Sequence, residues 1–252
     1  MKRILGYINL VLSFALLGFA ATVCAQTGQK LVVFGASGSI GSLITSEALN
    51  RGYQVVGVSR NPQSMDVDSP NFVAVKGDVT DPDSFRELVQ GADGVVISVQ
   101  GNTQGNDPEQ STHALAAKVA VEVLGSMDNA PYVLQIGGAT TLYNDPGIMA
   151  DNLPFAAEPG SEMWGMFFGH WVALEAYRAS DIAWTVLTPP MLITGLRDGS
   201  SQRTGQYRTA ANEPVVPADG GRSTISSKDL AVAAIDEFEN KAFVGRRFTV
   251  GY

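Results

Sequence analysis

Leu31-Val-Val-Phe-Gly35-Ala-Ser-Gly38-Ser-Ile-Gly41 is the stretch whose reading decides the fold. Leu31 to Phe34 are consecutive apolar residues, the mark of a short strand covered on both faces. Glycines follow at a spacing of three, and Ser42 to Arg51 then reads as a helix. Strand, glycine-rich turn and helix in that order make the turn that holds the pyrophosphate of a dinucleotide. Gly35 permits the tight turn out of the strand, Gly38 lets the backbone approach the pyrophosphate, and Gly41 lets the helix pack close to the strand. The whole turn, with Ala36, Ser37, Ser39 and Ile40 between the glycines, is expected to line the phosphates. The helix N-terminus adds free N–H groups and a positive dipole end.

Strands and helices alternate outward from this turn. Further strands are expected at Gln54 to Ser59, Phe72 to Lys76, Gly94 to Val99, Tyr132 to Ile136, Ala183 to Leu187 and Arg247 to Val250. Between them lie a helix from Pro82 to Gln90 capped by Asp81, and helices over Pro108 to Leu124, Met163 to Ala179 and Ser226 to Glu239. The pattern predicts an α/β fold: a single-domain, Rossmann-like, doubly wound parallel sheet with helices on both faces. Gly137 to Gly160 has no periodicity and reads as a long loop near the site, and Pro189 to Ser226 reads as irregular chain on the substrate side.

The chain of 252 residues is long enough for one α/β domain with a full core. Its net charge of −8 argues against nucleic-acid binding as a main role. Residues 1–25 fall outside the expected fold. Lys2 and Arg3 precede an uncharged apolar run from Ile4 to Cys24, and Val23-Cys24-Ala25 fits signal-peptidase cleavage before Gln26. A retained membrane anchor is the alternative. Either way the positive N-terminus stays inside, so residues 26–252 are expected outside the cytoplasm, periplasmic or secreted. Cys24 is the only cysteine, so the domain has no thiol chemistry. A metal site is not expected from two histidines, and the oligomeric state stays open.

The end of the second strand bears on the cofactor. An NAD site places Asp or Glu there to hold the ribose hydroxyls. This chain has Ser59-Arg60-Asn61-Pro62 instead, which suits the 2′-phosphate of NADP(H) over NAD(H): Arg60 pairs with it and Ser59 donates a hydrogen bond. Val99-Gln100-Gly101, at the end of the fourth strand, is expected to pass under the ribose and nicotinamide. No tyrosine is followed four residues on by a lysine, so a Tyr–Lys proton donor is lacking. Neither a G-x-S-x-G elbow nor an H-E-x-x-H helix is present.

The G-x-x-G-x-x-G spacing resembles the short-chain dehydrogenase/reductase superfamily, especially its extended and atypical branches. Gln135-Ile-Gly-Gly138-Ala, Trp184-Thr-Val-Leu-Thr-Pro-Pro190, Arg203-Thr-Gly-Gln-Tyr207, the run Asp229 to Glu239 and Arg247 to Tyr252 narrow the likeness. Together they resemble the NAD(P)H-binding, NmrA-like atypical reductases, the NADH–flavin reductase group among them, over essentially Lys30 to Tyr252. Biliverdin reductase B, which also reduces flavins, shares the scaffold. The resemblance implies that Asp78-Val79 borders the adenine and that Gly137, Gly138, Pro189 and Pro190 lie at the cofactor. It places His170 at an active-site histidine position. It also implies a serine after the fifth strand, where this chain has Gly138, which puts biliverdin reduction in doubt. His113, at a helix start, reads as a solvated end residue. Met163 to Phe168 reads as a wall for the acceptor or as a helix end in the core.

The function these readings lead to is NADPH-dependent reduction of a flavin, quinone or similar flat small molecule. A non-catalytic NADP(H)-binding sensor of NmrA-like type is the alternative from another class. A sugar-nucleotide epimerase or dehydratase is a weaker one, lacking its Tyr–Lys couple.

Overall fold

The protein is described from a computed structural model over residues 28–101, 106–142 and 158–252. The expected signal peptide or anchor, residues 1–25, lies outside these, as does most of the loop read between Gly137 and Gly160. Among the described residues no helix is long and apolar enough to cross a membrane.

The central sheet is built from β1 (Lys30–Phe34), β2 (Gln54–Ser59), β3 (Phe72–Lys76), β4 (Gly94–Ile97), β5 (Tyr132–Ile136), β6 (Trp184–Thr188), β8 (Arg208–Ala210) and β10 (Arg246–Gly251). Their order is β3-β2-β1-β4-β5-β6-β10-β8. All neighbours are parallel except β8, which runs antiparallel to β10. The helices are α1 (Ser39–Asn50), α2 (Pro82–Val89), α3 (Thr112–Gly125), α4 (Glu162–Arg178) and α5 (Ser227–Asn240).

The apolar run of β1 explains the layering. Leu31 and Val33 point to one face and Val32 and Phe34 to the other, because side chains alternate along a strand. The first pair packs with α1 and α5 through Ile44, Ala48, Leu230 and Ala234. The second packs with α2, α3 and α4 through Phe85, Val89, Ala120, Leu174 and Tyr177. Register then fixes the site: Phe34 lies beside Val58 of β2 and Ile97 of β4, and Ile97 lies beside Gln135 of β5. The carboxyl ends of these strands share one edge, at the point where the strand order reverses, which is where open α/β sheets bind ligands.

Several boundaries differ from expectation. α1 starts at Ser39, a turn earlier than expected, so the last glycine of the motif lies inside the helix. β4 ends at Ile97, and after the Ser98 N–H bond to the Phe34 oxygen at 2.9 Å the chain leaves the ladder. The expected helix from Pro108 is two pieces, a 3-10 turn at Pro108–Gln110 and α3, because Ser111 caps α3 by accepting the N–H of Ala114. The segment expected to be irregular, Pro189 to Ser226, carries β7 (Leu192–Thr194), β8 and β9 (Thr224–Ser226), with β7 and β9 paired in parallel as a separate ladder. Strands of three residues are too short for any periodicity to show.

Candidate functional site

The glycine turn is tied together by backbone contacts. Gly35 has φ of +81°, and a Cβ there would fall 2.1 Å from the carbonyl oxygen of Ser98. A Cβ on Gly41 would fall 2.1 Å from the Gly35 oxygen, so α1 meets the turn at backbone distance. Gly38 donates its N–H to Gly35 at 2.9 Å. Ser37 Oγ and Ser59 Oγ lie 2.9 Å apart, which links the turn to the end of β2.

The turn forms one wall of a cleft of 580 Å³ along the strand ends. Gly35, Ser37 and Gly38 line it, followed by Ser59 and Arg60 from β2, Asp78 and Val79 after β3, and Val99 and Gln100 after β4. Nine residues singled out in the sequence thus meet in one cavity. Ala36 and Gly41 instead pack behind the turn, Ala36 against Gly57 and Gly41 against Gly35. Ser39 and Ile40 form the first turn of α1. Gly101, Gly137, Gly138, Pro189 and Pro190 lie outside the cleft lining, Gly101 being packed against His113. Gly137 continues the β5 ladder by donating to Leu187 at 2.8 Å, and both prolines are buried. The structure adds Gly77, Thr80, Ser98, Gln110, Thr112 and Leu115 to the lining. Thr112 and Leu115 come from the start of α3. The caps Asp107 and Ser111 were the available signal that a helix begins over this edge.

The cleft has the features a dinucleotide needs. α2, α3, α4 and α5 each begin with a side chain that accepts a first-turn N–H: Asp81, Ser111, Ser161 and Ser226. Among the described residues, α1 begins at Gly38 with no such side chain and no acidic residue in its first turn. Its open amides and dipole face the cleft and fit a pyrophosphate. Arg60 is exposed at the rim of the cleft. Asp78 is held by its own loop, its Oδ1 accepting from the N–H and hydroxyl of Thr80 at 2.9 and 2.8 Å.

Beyond Thr112 stand the histidines. His113, expected as a solvated helix end, is 5% exposed and its ring lies 3.7 Å, centroid to centroid, from that of His170. The correction has a physical cause. α4 crosses the start of α3 so closely that a Cβ on Gly169 would fall 2.0 Å from Ser111 Oγ, which covers the first turn of α3. Burial lowers the His113 pKa to about 4. Burial, and next the neighbouring charge of His113, hold His170 well below the usual histidine range. Both rings are uncharged at neutral pH. The Met163 to Phe168 stretch divides: Trp164 and Phe168 stack on each other at 3.8 Å, Met163 is exposed, and Met166 packs toward Gly101.

The later motifs hold α1 and α5 rather than the cleft. Arg203 grips Glu47 of α1 with two bonds of 2.8 and 2.6 Å. The Thr204 and Gly205 N–H groups both donate to Asp229 at 2.8 Å, and Tyr207 donates to Asp236. The Arg203 guanidinium, against the cost of burial, holds Glu47 below the usual carboxylate range.

Known proteins place this geometry in a family. The sequence model of the NAD(P)H-binding family matches residues 35–241. A Burkholderia pseudomallei protein provisionally named an exported protein is 31% identical, with a TM-score of 0.70 over 89% of this chain and 100% of that one. A Bacteroides thetaiotaomicron protein provisionally named an epimerase is 28% identical, with a TM-score of 0.68 over 89% and 97%. A Streptococcus pneumoniae protein provisionally named an NADH-flavin reductase is 23% identical and shares the fold, with a TM-score of 0.71 over 89% and 99%. The chain belongs to the NAD(P)H-binding family.

Proposed function

We propose that this protein is an NADPH-dependent oxidoreductase that passes a hydride directly to a flavin, a quinone or a similar flat small molecule. One observation carries the reading: the uncapped start of α1 opens into a cleft that runs past Arg60 and Asp78 at one end and to Gln100 and Thr112 at the other. In this reading the first turn of α1 binds the pyrophosphate, Arg60 and Ser59 bind the 2′-phosphate, and Asp78 and Val79 border the adenine. The reduced nicotinamide, when bound, supplies the hydride. The protein's part is to hold two flat rings in register and to keep water away, which asks for orientation more than for a strong acid. The missing Tyr-x-x-x-Lys sequence and the uncharged histidines agree with that division of labour. The missing couple also weighs against the epimerase chemistry in the name of the Bacteroides relative. The flavin reductase name of the pneumococcal protein supports the acceptor class.

The test is NADPH oxidation by the purified protein with and without flavin or quinone acceptors. Acceptor-dependent turnover is the expected result. Tight nucleotide binding with no turnover on any acceptor would replace this reading with the sensor reading. We further infer that the domain is exported, from Lys2 and Arg3 before the apolar run to Cys24 and from the exported name of the Burkholderia relative. A mature N-terminus at Gln26 tests this.

A further inference from the structure

The chain has two histidines, and the fold brings them face to face, with 31° between the rings. Two glycines make room for them. A Cβ on Gly101, after β4, would fall 2.5 Å from His113 Nε2, and a Cβ on Gly138, after β5, would fall 2.3 Å from His170 Cδ2. Each imidazole therefore fills the volume that a side chain would take at the end of one of two adjacent strands. The Nδ1 atoms of both rings are buried with no hydrogen-bond partner among the described residues. Buried polar atoms are nearly always partnered, so two unpartnered ring nitrogens side by side point to a group that binds there.

The pair lies beside the end of the cleft, since Thr112, which precedes His113, and Gln100, which precedes Gly101, line that cavity. It is also insulated from charge. Among the charged groups on the packed elements, Asp107 caps its own turn, Glu109 pairs with Lys118 at 2.5 Å and Glu175 pairs with Arg178 at 2.7 Å. Neither Glu122 of α3 nor Glu162 of α4 bonds to either ring among the described residues.

We propose that His113 and His170 act as one imidazole pair that closes the nicotinamide end of the cleft and offers a ring N–H to a carbonyl of the flat ring bound there. His113 is the positioning residue that holds His170 against Gly138. The ligand class is a planar ring bearing a carbonyl, such as the nicotinamide carboxamide or a flavin or quinone oxygen. The inference rests on the nucleotide-binding reading.

Two histidines make a simple spectrum, so the test is NMR of the purified protein carrying isotope-labelled imidazoles. NADP+ is compared with 2′-phospho-ADP-ribose, which lacks the nicotinamide. Both ligands should move the Gly35, Gly38 and Gly41 amides, and NADP+ alone should move both imidazoles. His113→Ala should weaken NADP+ binding about three- to tenfold, leave 2′-phospho-ADP-ribose binding unchanged and abolish the response of His170. His113→Phe, which keeps a flat ring in the stack, should restore the His170 response. Imidazoles that ignore NADP+, or respond equally to both ligands, would overturn the pair's role while leaving nucleotide binding intact. Glycine amides that respond to neither ligand would overturn the nucleotide reading, and this inference with it.

Discussion

Helices α1 and α5 pack side by side on one face of the sheet, and they begin in opposite ways. The first turn of α5 is completed by the protein. Ser226 Oγ accepts the Asp229 N–H at 2.9 Å, and the Asp229 carboxylate accepts from Thr204, Gly205 and Tyr252 at 2.6 to 2.8 Å. Among the described residues, the first turn of α1 receives no side chain. Both ends carry the same unsatisfied N–H groups and the same partial charge, so the difference lies in what the chain supplies to them. A helix start filled from within belongs to the fold. One left open at a cleft is where a charged ligand completes the helix.

The sharpest way to break this contrast is at α5. Asp229→Ala strands several donors in the interior and should cost about 3 kcal/mol or more, read by urea denaturation. Nucleotide affinity of the folded fraction should stay within about threefold of wild type. Burial pushes the Asp229 carboxyl up, but hydrogen bonds led by Thr204 and Tyr252 outweigh it and hold it below the usual carboxylate range. A lowered carboxylate stabilises the fold above its unfolded pKa and loses that contribution as pH falls through the folded value. Acid unfolding below about pH 4 should therefore be less steep in the variant. Unchanged stability would remove the structural role given to this helix start.

The matching break at α1 should act on binding instead. A Cβ on Gly38 already sits 3.2 Å from the Gly35 oxygen, and the rest of a valine side chain would enter the cleft. Gly38→Val should weaken NADPH binding about 100-fold or more, roughly 2.7 kcal/mol, with little change in stability. Wild-type affinity in this variant would refute the phosphate cradle. Arg60→Ala sharpens the same side, with NADPH binding falling roughly tenfold to 100-fold and NADH binding within about twofold of wild type. Equal losses for both nucleotides would show that Arg60 does not read the 2′-phosphate.

Smaller effects are expected at the histidine pair. His170→Ala should lower acceptor turnover by no more than about tenfold, the worth of one neutral hydrogen bond. A loss on the order of 10²–10⁴ would mean that a general acid works there. The pair also sets a mild acid sensitivity. His113 titrates at about 4 in the folded protein, against about 6.5 unfolded, so the unfolded chain binds the extra proton between those values. Stability should fall as pH drops from about 6.5 toward 4, and His113→Phe should flatten that decline without affecting stability near neutrality. An unaltered profile would mean that His113 titrates normally.

The sequence by itself determined the dinucleotide architecture and much of the cleft. Leu31 to Phe34, the glycine spacing and the Asp81-Pro82 cap act through neighbours a few residues away, and β2, β3 and β5 lie at the expected residues. Ser59, Arg60, Val99 and Gln100 were legible as cleft residues for a related reason: parallel strands bring the residues at their carboxyl ends to the cleft, so locating a strand locates them, whereas Asp78 came from the family resemblance. Only the tertiary structure decided that His113 is buried against His170, that Arg203 reaches back to Glu47, and that the segment after β6 forms short strands. His113 and His170 are separated by an entire strand and two connections, and what joins them is a helix crossing set by Gly169 against Ser111. Helix starts are decided by local hydrogen bonding and leave a trace in adjacent residues. Contacts between helices are decided by packing in three dimensions, where a glycine far along the chain determines whether a histidine meets water or another histidine.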